Sequence, residues 1–330
     1  MVRRYITGQS NTGKTSLLRE MIVSDPSSTI LVIDTSGALT KSVPHDLLFD
    51  PTITRWNPFD EPVDRNLAPN LFSDTIVDLH GRSSSDLPLW LINLSLNCKF
   101  LASAFIDGKR KMTQIPTFLL DASFRTNDLF NIMDMNTRQY WDHFNAMSDR
   151  DRTNQVASTF STFSAPLLDA RVRALFDTSD TKISLAEIEG KTTMVHLPIT
   201  QYGSDTVKFI GSLVLAYANH LSQPCSIYVD DCDLFAKDTL IEILTRGRGS
   251  LSVAHQYIDQ VHPTLFAALL GNCEERYSFR MSSLDAAVLD PGRHRDTSGK
   301  WLYQLPSFEY RQLPYEHGKS PVGVTVPLEK

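Results

Sequence analysis

Eight residues near the start of the chain, GQSNTGKT from Gly8 to Thr15, fit the spacing G-x-x-x-x-G-K-[ST]. That spacing suits the gripping of a polyphosphate. Gly8 and Gly13 permit tight backbone angles, so the amides of Gln9, Ser10, Asn11 and Thr12 can turn inward as a cradle. Lys14 can reach the β- and γ-phosphates, the Thr15 hydroxyl can ligate Mg²⁺, and Ser16 closes the candidate nucleotide-binding set. From average glycine usage, a chance match in a chain this long is on the order of one per cent. The flanks also suit the motif. Residues 4–7 read as the end of a strand, and residues 16–22 open an amphipathic helix. A chance glycine turn is the competing reading.

Two later clusters say what such a loop would be used for. In SIYVDDCDLF, Ser226 to Phe235, an apolar strand ends in Asp230 and Asp231. A strand-end acid of this kind holds Mg²⁺, usually through water, and an acid beside it can orient and polarise the attacking water. Adjacent strand residues point to opposite faces, so the two acids share a site only if the strand stops there. Asp-Cys-Asp next door is a stop signal, though a solvated acidic turn would look the same. In TRGRGSLSVAHQY, Thr245 to Tyr257, a strand carries Gln256 to the same edge after an arginine pair. Gln256 suits a γ-phosphate sensor or water-positioning group, or a plain edge amide bonding a loop. Arg246 and Arg248 suit an arginine finger offered to a neighbouring subunit, or cations at a helix end.

These residues need an α/β scaffold. Val2–Thr7, Thr29–Asp34, Thr192–Leu197, Ser226–Asp230, Leu251–His255 and Arg276–Arg280 read as strands. Helices are expected at Gly13–Ser24, Thr206–Leu221, Thr239–Arg246 and Thr264–Leu270, the second apolar nearly all round like a crossover buried on a sheet. The tail from Leu305 reads as an edge strand and a wrapping arm. The expected fold class is a RecA-like P-loop core, a mostly parallel sheet flanked by helices, over residues 1–60 and 187–330. Residues 61–186 read as an all-α insertion, with helices over Asp74–His80, Leu87–Phe105, Asp128–Met133, Arg138–Met147 and Ala165–Phe176.

Composition sets outer bounds. A chain of 330 residues with 21% charged and 42% hydrophobic side chains can bury a large core and hold two domains. A net charge of −6 excludes a chain basic all over, so any nucleic-acid contact needs a local patch or the lining of an assembly. The best basic cluster is Lys109, Arg110 and Lys111, which is as readily a solvated loop. The longest apolar stretch, Leu87–Ile106, is broken by Asn93, Asn97 and Lys99, so no transmembrane helix and no membrane insertion are expected. Cys98, Cys225, Cys232 and Cys273 make no C-x-x-C pair and read as free thiols.

The parts together resemble the HerA/FtsK group of P-loop motors, and within it the VirD4/TraG-type coupling ATPases of conjugation and type IV secretion. The resemblance runs over nearly the whole chain. It rests on GQSNTGKTS, WNPFD, the helical insertion, KTTMVHLPI, IYVDDCDLF, EILTRGRGSLSVAHQYIDQV, LLGNCEERYSFRMSSLDAAVL, LPSFEYRQLP and PVGVTVP in that order. It implies ATP and Mg²⁺ as cofactors, with Lys14 and Thr15 as phosphate and metal ligands, Asp230 on the metal side and Asp231 as catalytic acid. It makes Gln256 the sensor and Arg248 the finger, with Arg246 behind it. It also implies a homo-oligomeric ring, expected as a hexamer, that moves DNA through pore-facing loops, with a relaxase, secretion-system or capsid partner. Three departures stand out. The family usually has Glu where this chain has Asp231, which predicts slow hydrolysis. The stretch from the arginines to Gln256 is short. The membrane-spanning N-terminal part of coupling proteins is missing from this sequence, so a cytoplasmic location is expected. Two further readings stand: a viral genome-packaging ATPase, which would be virion-associated, and a weakly hydrolysing ATP-binding switch or adaptor.

Overall fold

The computed structural model describes all residues except 82–87, 130, 131, 133, 179–182, 290–301, 314–321, 329 and 330. The described residues fall into two compact units, one of 1–48, 188–207 and 223–330, the other of 49–187 and 208–222.

The first unit is built on a sheet. Its described strands are β1 (Arg3–Thr7), β2 (Ile30–Asp34), β3 (Leu47–Phe49), β4 (Thr192–His196), β5 (Ser226–Val229), β6 (Leu251–His255), β7 (Glu275–Ser278), β8 (Glu309–Leu313) and β9 (Val322–Val324). They lie in the order β3-β4-β2-β5-β6-β1-β7-β8-β9. From β4 to β7 the pairing is parallel, and β8 and β9 add on antiparallel. The central strands β2, β5 and β6 are buried along their whole length, as their unbroken apolar runs require of parallel strands covered on both faces. Helix α1 (Lys14–Val23) packs Leu17, Leu18 and Ile22 into a core with Ile6, Val32, Tyr228, Ala254 and Phe279. Parallel strands put all their C-terminal ends on one edge. That edge receives the phosphate loop after β1, Asp230 after β5 and Gln256 after β6. The tail expected as one edge strand supplies two: β8 pairs with β7, and β9 pairs with β8 and forms the edge. The intervening part of the expected arm, 314–321, lies outside the described residues.

The second unit is helical and centred on Leu89–Gly108, whose Leu94, Cys98, Leu101 and Phe105 are fully buried. Around it pack Ala68–Leu79, Met135–Ala146 and Asp149–Ser164. A chain of rings fills the interior, with Phe105 edge-on to Phe118, Phe118 to Trp141, and Trp141 to Phe144. Among the described residues, Leu89–Gly108 is the one helix long and apolar enough by composition to cross a membrane. Its Leu91, Leu94, Cys98, Leu101 and Phe105 are buried in the helical cluster, while Leu89, Trp90, Ile92 and Leu96 are exposed.

Several expectations shift. The helix expected over Asp128–Met133 lies earlier, at Ala122–Leu129, and residues 130, 131 and 133 are outside the described set. The sixteen-residue helix Asp149–Ser164 was not expected. The helix read as a crossover against the sheet, observed at Ser204–Ala218, gives its residues from Lys208 onward to the helical unit. There Phe209 meets Phe163 and Phe176, and Tyr217 meets Trp56, all edge-on. Those partners account for the aromatic residues Phe209 and Tyr217 of that helix. The WNPFD segment caps the same cluster. Trp56 is fully buried, and its indole donates to the Glu61 carboxylate at 2.6 Å. The Leu185 amide and the Ser184 hydroxyl complete that carboxylate's bonds. All four cysteines are buried free thiols.

Candidate functional site

The loop between β1 and α1 has the geometry its glycines predict. Gly8 has φ +150° and Gly13 φ +115°. A Cβ on Gly8 would stand 2.6 Å from the Phe279 Cβ, so a side chain there must displace the neighbouring strand. Asn11 takes the left-handed region, φ +59°, at the exposed tip. The loop is pinned from within and beside. The Thr12 hydroxyl donates to the Gln9 carbonyl at 2.7 Å, and the Gln9 amide donates to the Arg280 carbonyl at 2.8 Å. Lys14 is buried, with Nζ donating to the carbonyls of Gly8 (2.8 Å) and Gln9 (3.0 Å). Burial lowers its pKa, and Asp230 and Asp231 oppose that. Gly13 is the N-cap of α1 and leaves the helix start with no side-chain cap. The open amides there, at the positive end of the helix dipole, are a fitted anion site.

The two acids share this edge because β5 stops in time. The Asp230 amide still bonds the Ile33 carbonyl at 3.2 Å, and then Asp231 turns left-handed at φ +50° before a short 3₁₀ turn over Cys232–Leu234. The Thr15 hydroxyl donates to Asp230 Oδ2 at 3.1 Å. Asp230 is 4% exposed, and burial together with the Asp231 charge holds its carboxyl well above the usual carboxylate range, against the pull of Lys14. Burial pushes Asp233 up to about 6 in the same way. A divalent cation between Thr15 and Asp230 would relieve this acid crowding. Among the described residues no three His, Cys, Asp or Glu side chains form a cation cage. The Thr15 hydroxyl and Asp230 are oxygen ligands of the kind Mg²⁺ takes, with phosphate and water completing its shell.

Asp231 is held by a residue the sequence reading passed over. The Thr35 hydroxyl, just past β2, donates to Asp231 Oδ2 at 2.7 Å. Its neighbour Asp34 is spent on its own turn, accepting from the amides and hydroxyls of Ser36 and Thr40 and from the Gly37 amide. Gln256 reaches the loop directly, its Oε1 accepting from the Ser10 hydroxyl at 2.8 Å. Behind it His255, fully buried, meets the Tyr5 hydroxyl at 2.6 Å, and burial pushes its pKa down to about 4. Arg280, half-buried beside the loop, has no side-chain partner among the described residues. No motif flagged it, because it follows a short strand whose place next to β1 is known only from the fold.

The arginines lie elsewhere. Arg246 ends the helix Lys237–Arg246 and Arg248 follows in the turn into β6, both exposed. β6 runs parallel to β1 with Leu251 beside Arg3, so these arginines stand at the opposite edge of the sheet from the loop. Five residues of strand at about 3.3 Å each make that on the order of 17 Å from Gln256. Neither can enter the site of its own chain. Their turn is clasped by Arg3, 7% exposed, whose guanidinium donates to the carbonyls of Leu244 (3.1 Å), Gly247 (2.7 Å) and Gly249.

No protein-family model and no curated protein matches this chain in sequence. Solved structures do match. The unbound monoclinic form of the bacterial conjugative coupling protein TrwBdeltaN70 superposes with TM-score 0.69 at 14% identity, over 99% of this chain and 85% of that one. Plasmid coupling protein TrwB in complex with a non-hydrolysable ATP analogue gives 0.68 at 14%, over 99% and 86%. TrwB with ADP and Mg²⁺ gives 0.68 at 13%, over 99% and 85%. The chain therefore has the fold of these coupling proteins, from its first strand to its last.

Proposed function

We propose that this chain is an ATP- and Mg²⁺-dependent motor of the coupling-protein type, which assembles into a ring and moves DNA. The observation that carries the reading is the 3.1 Å bond from the Thr15 hydroxyl to Asp230 beneath a glycine-shaped loop, with Asp231 adjacent. The loop amides and Lys14 would hold the phosphates, and Thr15 and Asp230 the cation. Asp231, oriented by Thr35, would take the proton of the attacking water, and Gln256, braced on Ser10, would fix that water or sense the terminal phosphate. ATP and Mg²⁺ supply the reactive phosphoanhydride and the charge that neutralises its oxygens. The fold match with TrwB, whose nucleotide complexes have the same architecture, supports the choice of ATP and of a DNA-transfer setting.

The position of Arg246 and Arg248 supports a ring. Cations at one edge of the sheet and a phosphate site at the other are the two halves of a head-to-tail interface, the kind that closes into a ring. The expected result is ATP turnover per chain that rises with chain concentration and again on adding DNA. A rate per chain constant at every concentration and indifferent to DNA overturns the motor.

A second reading has its own support. Asp231 has a shorter arm than glutamate and already bonds Thr35, which favours a slow ATP-binding switch. Asp231→Glu separates the two: a gain in turnover marks a motor with a weakened acid, and nucleotide-dependent assembly without turnover in either form marks the switch.

A further inference from the structure

Thr15, Asp230 and Gln256 mark the terminal-phosphate end of the candidate site. They stand on the loop after β1 and at the ends of β5 and β6. In the sheet β5 and β6 lie on one side of β1, and β7, β8 and β9 on the other. For a nucleotide whose last phosphate meets Asp230, β7–β9 is the flank on the far side of the loop, the side we assign to its nucleoside half.

That flank is built. The Phe308 amide donates to the Thr12 carbonyl at 2.6 Å, and the Thr325 amide donates to the Phe308 carbonyl at 2.8 Å. The Val326 amide donates to Glu20 on α1 at 3.1 Å. The two C-terminal segments are thus fastened to the loop and to the first helix. Phe308 takes φ +68° to make the turn, a conformation costly for a bulky side chain and kept only where the surroundings impose it. A Cβ on Gly13 would stand 2.8 Å from the Thr325 hydroxyl oxygen and 3.1 Å from the Phe308 Cα. So the Thr325 hydroxyl lies against the open N-terminus of α1. It is 2% exposed at the residue level, and its oxygen has no hydrogen-bond partner among the described residues. A buried hydroxyl without a partner is a cost the fold would shed unless something completes it.

We propose that Thr325 is a nucleotide-contacting residue, and that its hydroxyl hydrogen-bonds the ribose of a bound nucleoside di- or triphosphate. A neutral group that both donates and accepts suits a sugar hydroxyl, whereas the phosphates are served by Lys14 and the loop amides. This rests on the nucleotide-site reading above.

The test uses the full chain, Thr325→Val and Thr325→Ser. By titration calorimetry, Thr325→Val binds MgADP about tenfold more weakly than wild type and Thr325→Ser recovers most of that. Inorganic tripolyphosphate, which fills a phosphate cradle and carries no sugar, binds wild type and Thr325→Val alike. The ligand-free melting midpoint of Thr325→Val equals or exceeds wild type, because an unpaired hydroxyl has been removed. Unchanged MgADP affinity overturns the proposal. So does equal weakening of MgADP and tripolyphosphate, or a lower ligand-free midpoint, since either makes Thr325 a support for the loop and nothing more. Failure of wild type to bind MgADP overturns the nucleotide site itself, and is told apart by that control.

Discussion

The two edges of the sheet hold their charges in opposite ways. At the C-terminal edge the charged groups are buried or half-buried and the polar groups are bonded to one another: Lys14 to loop carbonyls, Thr15 to Asp230, Thr35 to Asp231, and the exposed Ser10 to Gln256. At the N-terminal edge the buried charge is Arg3, spent on three carbonyls of a turn, while Arg246 and Arg248 are exposed on that turn. The first edge fixes charges where a ligand would sit. The second fixes a backbone and leaves its charges outward. Catalytic electrostatics depend on groups that need no rearrangement when charge develops. A clasped turn meets that condition only when a second surface comes to it.

The comparison breaks most visibly if the outward edge is idle. Arg248→Ala is expected to lower turnover by about 10³-fold or more, as loss of a finger does, with nucleotide binding little changed. Arg246→Ala is the companion, and whichever loses turnover identifies the working cation. Mixing decides whether the effect crosses between chains. Lys14→Ala and Arg248→Ala are each inactive alone. In an equal mixture about a quarter of head-to-tail interfaces combine an intact loop with an intact arginine. Recovery toward that fraction, by phosphate release, supports the trans reading. A mixture no faster than its parents removes it.

The inward edge is tested by Asp231→Asn, which keeps the shape and the bond from Thr35 but cannot accept the water's proton. Turnover should fall 10²- to 10⁴-fold, the range of a lost general base, with MgATP affinity held within a few-fold. A fall of less than tenfold would move the catalytic role from Asp231 to another group at the same edge.

How much of this was legible follows from where each signal lies. The phosphate loop, the Asp pair and Gln256 are local: motif, strand and stop signal sit within a dozen residues, and the structure joins them because parallel strands end on one edge. Thr35 was half legible, since it follows directly on β2. Arg280 and Thr325 were not, because their nearness to the loop arises from sheet order and from an antiparallel tail. The helix Asp149–Ser164 was hidden by its polar start, which masks a stripe of only Val156, Thr159 and Phe163. Its cap was in plain view, with the Asp151 amide donating to the Ser148 hydroxyl at 3.2 Å. The helix Ser204–Ala218 was legible as buried, but its partners Phe163, Phe176 and Trp56 were not. All-round apolarity says that a helix is buried but not what buries it.

The smallest effect expected is on stability and not on turnover, and it sharpens the inward edge by asking how rigid its floor is. His255 and Tyr5 lie in β6 and β1 beneath the loop, bonded at 2.6 Å and stacked with ring centroids 5.3 Å apart. Burial holds the His255 pKa at about 4, below its ordinary 6.5, so the folded chain keeps the ring neutral where the unfolded chain would protonate it. The unfolded state then binds more protons, and stability rises with pH between those values. The contribution is fully present above pH 6.5 and is lost as pH falls toward 4, by about 3 kcal/mol over the whole interval. Urea unfolding of wild type and His255→Phe between pH 4.5 and 7.5 isolates it. Wild type should lose more stability on acidification than the variant, with the difference growing steadily below pH 6.5. Parallel pH profiles would mean that the ring gains its proton without disturbing the fold. The floor of the site would then be looser than the buried Tyr5 pairing implies.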